Sequence, residues 1–260
     1  MRPNRLRELH AAGTPALAGW ASLGHGLSAE VMGHAFDAVV VDLQHGLFGF
    51  DTAVSLLQAV CATPAVPMAR VPSNDFAAIN RLLDAGAYGL ICPLIDSAED
   101  ARRFVSACRY PPRGTRSFGP TRAPLWAGAG YYPAADDAVV KLAMIETPGG
   151  LQALDDILAV DGLDGVFVGP SDLTLALGAR LPFDHRAEPL AGVLRVIVER
   201  AHRAGRMAGI FCGDPAFGAD MVAAGFDLVV PGADVGMLRA AAGDWAERAR
   251  AAARARSGQP

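Results

Sequence analysis

Eight short apolar runs, separated by longer segments of helical period, limit most strongly how this chain can fold. Several of the runs, such as AVVVDL and GVFVG, are continuous, as expected for parallel strands that are covered on both faces. This order predicts an α/β domain over residues 1–260, a (β/α)8 TIM barrel, with an open doubly wound sheet as the alternative. The runs are Leu17–Ser22, Ala38–Leu43, Val66–Val71, Gly89–Leu94, Lys141–Ile145, Gly165–Val168, Met207–Cys212 and Asp227–Pro231.

Segments of helical period lie between these runs. Ser97, followed by Asp100 at the third position, predicts a helix start. Gly86, Gly205 and Gly225 each follow a helical segment and predict its end. The helical segments are Asp51–Ala62, Asp75–Ala85, Ala98–Ala107, Gly150–Ala159, Pro189–Ala204, Pro215–Ala224 and Gly236–Ala253.

Two connections interrupt the strand–helix order. Tyr110–Pro133 is rich in Pro, Gly and Arg, and Gly178–Glu188 is polar and contains proline. The composition of neither segment favours a helix or a strand. Connections of this length in a compact domain are usually lids or binding loops, so both are predicted to be functional.

The composition favours a soluble, cytoplasmic protein with one large core. Hydrophobic residues make up 52% of the chain and charged residues 19%, and the net charge of −4 gives no reason to expect nucleic acid or an anionic membrane as a partner. The four cysteines form no CxxC pair, which argues against a zinc knuckle or a redox motif. No apolar stretch is long enough to span a membrane, and the N-terminal segment lacks the apolar region of a signal peptide.

Polar residues collect where the apolar runs end. A barrel carries its chemistry at the carboxyl ends of its strands, so these residues are expected to share one mouth. Each of them could instead be structural, as a helix cap or a surface ion pair, but their joint presence favours a site. They are Asp42, Gln44 and His45 after the second strand, Arg70 after the third, Glu146 after the fifth, and Ser171 and Asp172 after the sixth.

The chemistry of this set points to a divalent cation and a 2-oxo acid. Glu146 and Asp172 supply two carboxylates for a hard cation, whose other positions would go to water and substrate oxygens. Arg70 offers a planar fork for a substrate carboxylate or for developing oxyanion charge. A cation chelated by a 2-oxo acid would acidify the adjacent methyl group and stabilise an enolate. This combination describes a class II aldolase.

His45 is the strand-end residue whose side chain titrates near neutral pH, so it is the predicted general base. Asp42, or Asp84 near the end of the helix after the third strand, could orient its ring. A class I mechanism would need a Schiff-base lysine, but the single lysine, Lys141, stands at the start of the fifth strand, at the wrong end of the barrel.

Several strings resemble the HpcH/HpaI aldolase and citrate lyase family. They are VVVDLQHGLFGFDTA, ARVPSNDFAAINRLLDAGAYGLICPLIDSAEDA, RYPPRGTRSFGPTRA and MIETPGGLQALDDILAVDGLDGVFVGPSDLTLALG. The resemblance runs from about Trp20 to Val235 and implies a barrel of the phosphoenolpyruvate/pyruvate type. Members are class II pyruvate aldolases that act on 4-hydroxy-2-oxo acids. The QHG string together with RSFGPTRA is similar to the hydroxyketoacid-aldolase branch.

The resemblance implies a metal centre and a base. A Mg²⁺, Mn²⁺ or Co²⁺ ion would be held by Glu146 and Asp172. His45 would be the catalytic base, assisted by Asp42 and Asp84.

The resemblance also implies substrate-binding residues. Arg70 would contact the pyruvate keto and carboxylate oxygens and steady the enolate, and the backbone around Ser171 and Asp172 would receive the carboxylate. Trp20, where the resemblance begins, is assigned to substrate binding as well.

Four residues bear on substrate choice. Gln44 replaces a Glu of the best-known branch, and Met144 replaces a Gln two residues before the metal Glu, which removes a possible amide contact to pyruvate. Arg116 and Arg122, in the long connection, are predicted to select an acidic or hydroxylated aldehyde, with ordinary surface arginines as the alternative.

The predicted activity is reversible aldol cleavage of a 4-hydroxy-2-oxo acid to pyruvate or hydroxypyruvate and an aldehyde, accompanied by oxaloacetate decarboxylation. The alternatives are a lyase of CoA thioesters such as citryl-CoA or malyl-CoA, and a catalytically silent barrel that serves as a binding subunit. The resemblance implies a trimer or hexamer in which the last helix packs on a neighbour, a role that suits the Ala-rich tail with its Trp245, and a solvated final helix is the alternative.

Overall fold

Eight parallel strands close into a barrel in sequence order, which confirms the predicted (β/α)8 fold. The structure is a computed structural model and describes residues 1–178, 180 and 184–257. Every predicted strand is present, with each end within two residues of its predicted position. The strands are β1 Ala16–Ala21, β2 Ala38–Asp42, β3 Val66–Arg70, β4 Gly89–Cys92, β5 Val140–Ile145, β6 Gly165–Val168, β7 Met207–Phe211 and β8 Leu228–Ala233.

Thirteen helices are found in the described part of the chain, more than the sequence pattern indicates. They are α1 Arg5–Ala11, α2 Gly26–Ala35, α3 Phe50–Cys61, α4 Phe76–Asp84, α5 Ala98–Cys108, α6 Ala123–Ala127, α7 Tyr131–Ala138, α8 Pro148–Gln152, α9 Leu154–Leu158, α10 Pro170–Ala176, α11 Leu190–Arg203, α12 Pro215–Ala223 and α13 Asp234–Ser257. The predicted helix Gly150–Ala159 is the pair α8 and α9. None of the described helices has both the length and the apolar character that crossing a membrane requires.

The predicted helix ends are confirmed. Ser97 is the N-cap of α5: its hydroxyl oxygen accepts from the Asp100 N–H at 3.1 Å and donates to the Asp100 carboxylate at 2.6 Å. Gly86, Gly205 and Gly225 all have positive φ, the left-handed conformation that ends a helix and that glycine adopts without strain.

The prediction that Tyr110–Pro133 contains no regular element is wrong, because it holds α6 and the start of α7. Pro124 is tolerated in the first turn of α6, where no helical N–H is needed. The segment joins α5 to β5, so it lies at the amino ends of the strands. Part of the other predicted loop, Gly178–Glu188, lies outside the described residues.

Alternation within the strands decides which side chains point into the barrel. Val39 and Val41 of β2 pack outward against the helices, whereas Val40 packs inside the barrel. Because side chains alternate along a strand, a residue two positions after an inward one points inward as well. Asp42 therefore follows Val40 into the mouth of the barrel. By the same period, inward Trp20, Met68 and Met144 are followed by Ser22, Arg70 and Glu146.

Candidate active site

A cavity of about 250 Å³ opens at the carboxyl ends of the strands. It contains most of the residues that the sequence predicts for the site and several that it does not. The lining residues are Trp20, Ser22, Asp42, His45, Arg70, Met144, Gly169, Pro170, Ser171, Asp172, Phe211 and Ala233.

Asp42 and Arg70 form a buried bidentate pair at the base of this cavity. The two residues are register partners on neighbouring strands, and Arg70 Nε and Nη2 donate to the two Asp42 oxygens at 2.8 and 2.7 Å. Trp20 Nε1 donates to the same carboxylate at 3.1 Å. Burial by itself raises the pKa of Asp42, but the Arg70 hydrogen bonds and charge, with the Trp20 bond, outweigh it and hold the pKa below 3.8. Arg70 is thereby fixed, and its Nη1 donates to no described residue.

His45 lines the cavity from the loop after β2. Its backbone N–H donates to Asp42 at 3.3 Å, so Asp42 fixes the loop that carries it. Its ring makes no hydrogen bond to any residue that the structure describes. Asp42 therefore positions the backbone of His45 rather than its ring, since the Asp42 oxygens are occupied by Arg70 and Trp20.

Glu146 follows β5 and is buried, with 4% of its surface exposed. Its pKa is raised above 4.5, mainly because burial disfavours the charged form, and the charge of Asp172 raises it further. The Leu94 N–H, which donates to Oε1 at 2.9 Å, acts in the opposite direction and lowers the pKa. Leu94 has φ 54, the one positive φ among the described non-glycine residues. This uncommon conformation aims its N–H at the carboxylate. No pattern in the sequence indicates this role for a leucine.

Glu146 and Asp172 fit a small hard cation. Oε1 of Glu146 is taken by Leu94, and Oε2 has no partner among the described residues. A Cβ at Gly169 would lie 2.7 Å from Oε2, so the glycine keeps the space beside this oxygen open. No third Asp, Glu, His or Cys joins the two carboxylates in the described chain, so the other coordination positions of an ion held here would go to water and substrate, as is usual for Mg²⁺.

Ser171 and Asp172 lie in the first turn of α10, directly after β6. Their side chains are exposed, and their backbone N–H groups donate to no acceptor in the part of the chain that the structure describes. These two donors, together with Arg70 Nη1, are available to a carboxylate or keto oxygen in the cavity.

The rest of the cavity wall is apolar. The Trp20 ring lies 4.9 Å from the Arg70 guanidinium, stacks on Phe167 at 5.8 Å and meets Phe211 edge-on at 5.3 Å. Met144 completes the wall. The lining role of Phe211 was not predicted, although it ends β7 and so fits the strand-end rule.

Asp84 and Arg116 are not brought into this cavity. Asp84 ends α4 and lies at the amino ends of the strands, where its carboxylate accepts from Arg116 at 2.9 Å. The Arg116 side chain is 0% exposed, donates to the Tyr131 hydroxyl at 3.0 Å and lies over the Tyr110 ring at 4.4 Å. Arg116 is thus buried and is not the surface arginine of the alternative interpretation. Within one chain, neither the catalytic role predicted for Asp84 nor the substrate role predicted for Arg116 is supported by a contact with the cavity.

Three further residues complete the comparison with the sequence analysis. Lys141 lies at the amino end of β5, where its ammonium donates to the Val139 carbonyl at 2.6 Å, which agrees with the argument against a Schiff base. Gln44 Oε1 is buried and has no hydrogen-bond partner among the described residues. Arg122 donates to the Ala85 carbonyl at 2.7 Å, far from the mouth.

Comparison with known proteins places this geometry among aldolases. The family model described as HpcH/HpaI aldolase/citrate lyase matches residues 20–241. A hydroxypyruvate/pyruvate aldolase of Rhizorhabdus wittichii is 45% identical over 92% of this chain and 96% of that protein. A 4-hydroxy-2-oxo-heptane-1,7-dioate aldolase of Salmonella dublin is 35% identical over 90% of both. A crystal structure of a protein of the same family from Burkholderia cenocepacia superposes with a TM-score of 0.88 at 30% identity, covering 95% of this chain and 99% of that one.

Proposed function

The chain belongs to the HpcH/HpaI aldolase/citrate lyase family, and from that membership we propose that it cleaves a 4-hydroxy-2-oxo acid reversibly to pyruvate or hydroxypyruvate and an aldehyde. It is an aldolase, as are the two relatives described above. One observation supports the proposal most: Arg70, with one free guanidinium nitrogen, lines the same cavity as Asp172, and Gly169 of that cavity leaves space beside the open oxygen of Glu146. This combination serves a 2-oxo acid and has no evident structural purpose.

The proposed cofactor is a divalent ion, Mg²⁺, Mn²⁺ or Co²⁺, held by Glu146 and Asp172. Such an ion would draw electron density from the keto oxygen of the bound acid and so acidify the neighbouring methyl group. The raised pKa of Glu146 supports this assignment, because burial and the charge of Asp172 disfavour its ionised form, which a bound cation would stabilise.

The chain's own residues would bind the acid and move the proton. The Arg70 Nη1 donor would bind the keto oxygen and stabilise the negative charge that grows there when the methyl proton leaves. The N–H groups of Ser171 and Asp172 would hold the carboxylate, and Trp20 would exclude water from one face. In the condensation direction His45 would take a proton from the methyl carbon of pyruvate. In the cleavage direction it would return a proton to the same carbon.

Asp42 is proposed to position other catalytic groups rather than to hydrogen-bond the His45 ring. It holds the Arg70 guanidinium through two hydrogen bonds and the His45 loop through a backbone N–H. Assistance by Asp84 and decarboxylation of oxaloacetate stay predictions, whereas we do not propose aldehyde selection by Arg116, because its side chain contacts Asp84 and Tyr131 and does not line the cavity. No observation favours a CoA-thioester lyase or a silent barrel over the aldolase.

The proposal is tested by removing either carboxylate without changing its shape. Glu146→Gln and Asp172→Asn should each lower kcat/KM for pyruvate release by at least about a hundredfold, because the pair can no longer neutralise a cation. Asp156→Asn, an exposed aspartate on α9, is the matched control. Pyruvate release is followed in a coupled assay, with and without exhaustive chelation. Full activity of the parent protein after chelation would reject the divalent-ion mechanism.

We also propose that the protein is a homo-oligomer, a trimer or hexamer, joined through α13. From Leu238 to Arg254 every described side chain except that of Ala246 is exposed, including Trp245 at 74%. This part of the helix carries large apolar residues but buries no face against the described part of its own chain, and a second copy would supply that contact.

A further inference from the structure

Ser22 is a polar residue of the cavity that the proposed chemistry does not use. It follows β1 two positions after inward-facing Trp20 and lines the mouth. The Ser22 hydroxyl has no hydrogen-bond partner among the described residues. A hydroxyl that faces a cavity without a protein partner can both donate to and accept from a ligand.

Ser22 lies across the mouth from Glu146. β1 and β5 are four strands apart in a closed barrel of eight, so their carboxyl ends face each other over the cavity. If the oxo-acid half of the substrate is bound beside Glu146 and Asp172, the aldehyde half extends toward β1 and β8. Ser22 is therefore placed against the aldehyde half.

Asp234, the first residue of α13, fixes Ser22 in this position. Asp234 is 5% exposed, and its carboxylate accepts from the N–H groups of Ser22 at 3.0 Å, Leu23 at 3.1 Å and Val235 at 2.8 Å. It also accepts from the Ser28 hydroxyl of α2 at 3.4 Å and forms no ion pair with any residue that the structure describes, so its contacts order the backbone after β1 and tie it to α2. The Ser22 carbonyl in turn accepts from Leu47 N–H at 3.3 Å, which ties the two strand-end loops together.

The surroundings of Ser22 suit a neutral hydroxyl better than a carboxylate. Its neighbours in the cavity wall include apolar Trp20, Phe211 and Ala233. Among the described lining residues the only Arg or Lys is Arg70, whose charge is already matched by Asp42. A carboxylate on the aldehyde half would thus meet no unpaired cation there, whereas a hydroxyl would meet Ser22.

We propose that the Ser22 hydroxyl hydrogen-bonds a hydroxyl group of the acceptor aldehyde, and that Asp234 is the positioning residue that holds it there. The inference rests on the proposed aldolase function and adds to it the chemical class of acceptor, a neutral hydroxyaldehyde.

Glycolaldehyde and acetaldehyde, which differ by one hydroxyl, test this with pyruvate as donor. In the parent protein kcat/KM should be higher for glycolaldehyde, and Ser22→Ala should lower the glycolaldehyde-to-acetaldehyde ratio by about tenfold, the upper size of a single hydrogen bond. Ser22→Thr, which keeps the hydroxyl, should retain most of the ratio. Ser55→Ala, an exposed serine on α3, is the matched control and should change nothing.

Asp234→Asn should change the same ratio mainly through KM for glycolaldehyde, since it loosens Ser22 without touching the acid-binding side. A general loss of fold would instead lower both aldehyde activities together and reduce the melting temperature. Equal kcat/KM for the two aldehydes in the parent protein overturns the inference, as does an unchanged ratio in Ser22→Ala. A parent protein that turns over neither aldehyde, and that does not exchange the pyruvate methyl protons with D2O, rejects the proposed function and the inference with it.

Discussion

Glu146 has an environment that disfavours its own ionised form. Burial is the largest cause, and the charge of Asp172 adds to it, so the folded-state pKa lies above the unfolded value near 4.5. Between these two pKa values the folded protein binds more protons than the unfolded chain, and the free energy of unfolding therefore falls as pH rises through this interval. The residue destabilises the ion-free fold at neutral pH, as active-site charges commonly do.

Replacement of Glu146 by Gln should accordingly stabilise the ion-free protein while it abolishes activity. At pH 7 we expect the free energy of unfolding to rise by about 1 kcal/mol. The gain should shrink as pH falls through the raised pKa toward 4.5, because the parent side chain then becomes neutral as well. Urea denaturation in the presence of a chelator, at several pH values, measures this difference.

Added Mg²⁺ or Mn²⁺ should raise the melting temperature of the parent protein and not that of the Glu146→Gln variant, because a ligand that binds only the folded state stabilises it. Asp156→Asn serves again as the control. A Glu146→Gln protein that is less stable than the parent at pH 7, with the same deficit near pH 4.5, would show that the carboxylate has a structural role instead.

At the scale of single residues, the sequence predicts which polar side chains stand at an inward-facing position where a strand ends. Asp42, Arg70 and Glu146 each lie two positions after an inward residue, so the period of the strand places them in the mouth. Leu94 could not be predicted, since leucine has no preference for positive φ and its contribution is a backbone N–H. The sequence could not predict the partner of Asp42 either, because both His45 and Arg70 are possible partners for its carboxylate.

At the scale of elements, strands were predicted better than connections. A parallel strand that is buried on both faces must be apolar throughout, which leaves a clear signal. The composition and length of the connection Tyr110–Pro133 predict a lid or binding loop. Its place in the chain, after a helix and before β5, assigns it to the amino ends of the strands, away from the mouth. The order of elements is thus a better guide to a loop's location than its residue content.

Arg116 shows what this connection does. Its guanidinium joins the connection to Asp84 at the end of α4 and to Tyr131 at the start of α7. Arg116→Ala would leave the Asp84 charge and the Tyr131 hydroxyl without their partner, and we expect the free energy of unfolding to fall by about 3 kcal/mol. The relative turnover of a semialdehyde and a neutral aldehyde should not change, because the side chain does not reach the cavity.

Arg102→Ala is the matched control, since Arg102 is 59% exposed and its ion pair with Glu99 should contribute less than about 1 kcal/mol. Urea denaturation and the two-aldehyde assay together decide the outcome. A changed aldehyde preference in a stable Arg116→Ala protein would instead support the predicted role of Arg116 in substrate selection.

At the scale of the whole molecule, the barrel buries its own core but leaves one apolar surface without a partner among the described residues. Leu27 and Val31 of α2, both 62% exposed, and Leu238 of α13, also 62% exposed, border one apolar groove beside the start of the last helix. Trp245 projects from the same helix about two turns further on. Large apolar side chains gathered in this way are typical of an interface between subunits.

Trp245→Glu should therefore reduce the assembly state, because it places a charge where a neighbouring chain would otherwise cover an indole ring. Light scattering coupled to gel filtration should give the mass of three or six chains for the parent protein and a lower mass for the variant, with an unchanged far-ultraviolet circular dichroism spectrum. Leu125→Glu, at a leucine of α6 that is 84% exposed at the other end of the barrel, tests whether any new surface charge has this effect and should leave the mass unchanged. A monomeric parent protein would contradict the proposed assembly, and a variant of parental mass would show that α13 does not join the subunits.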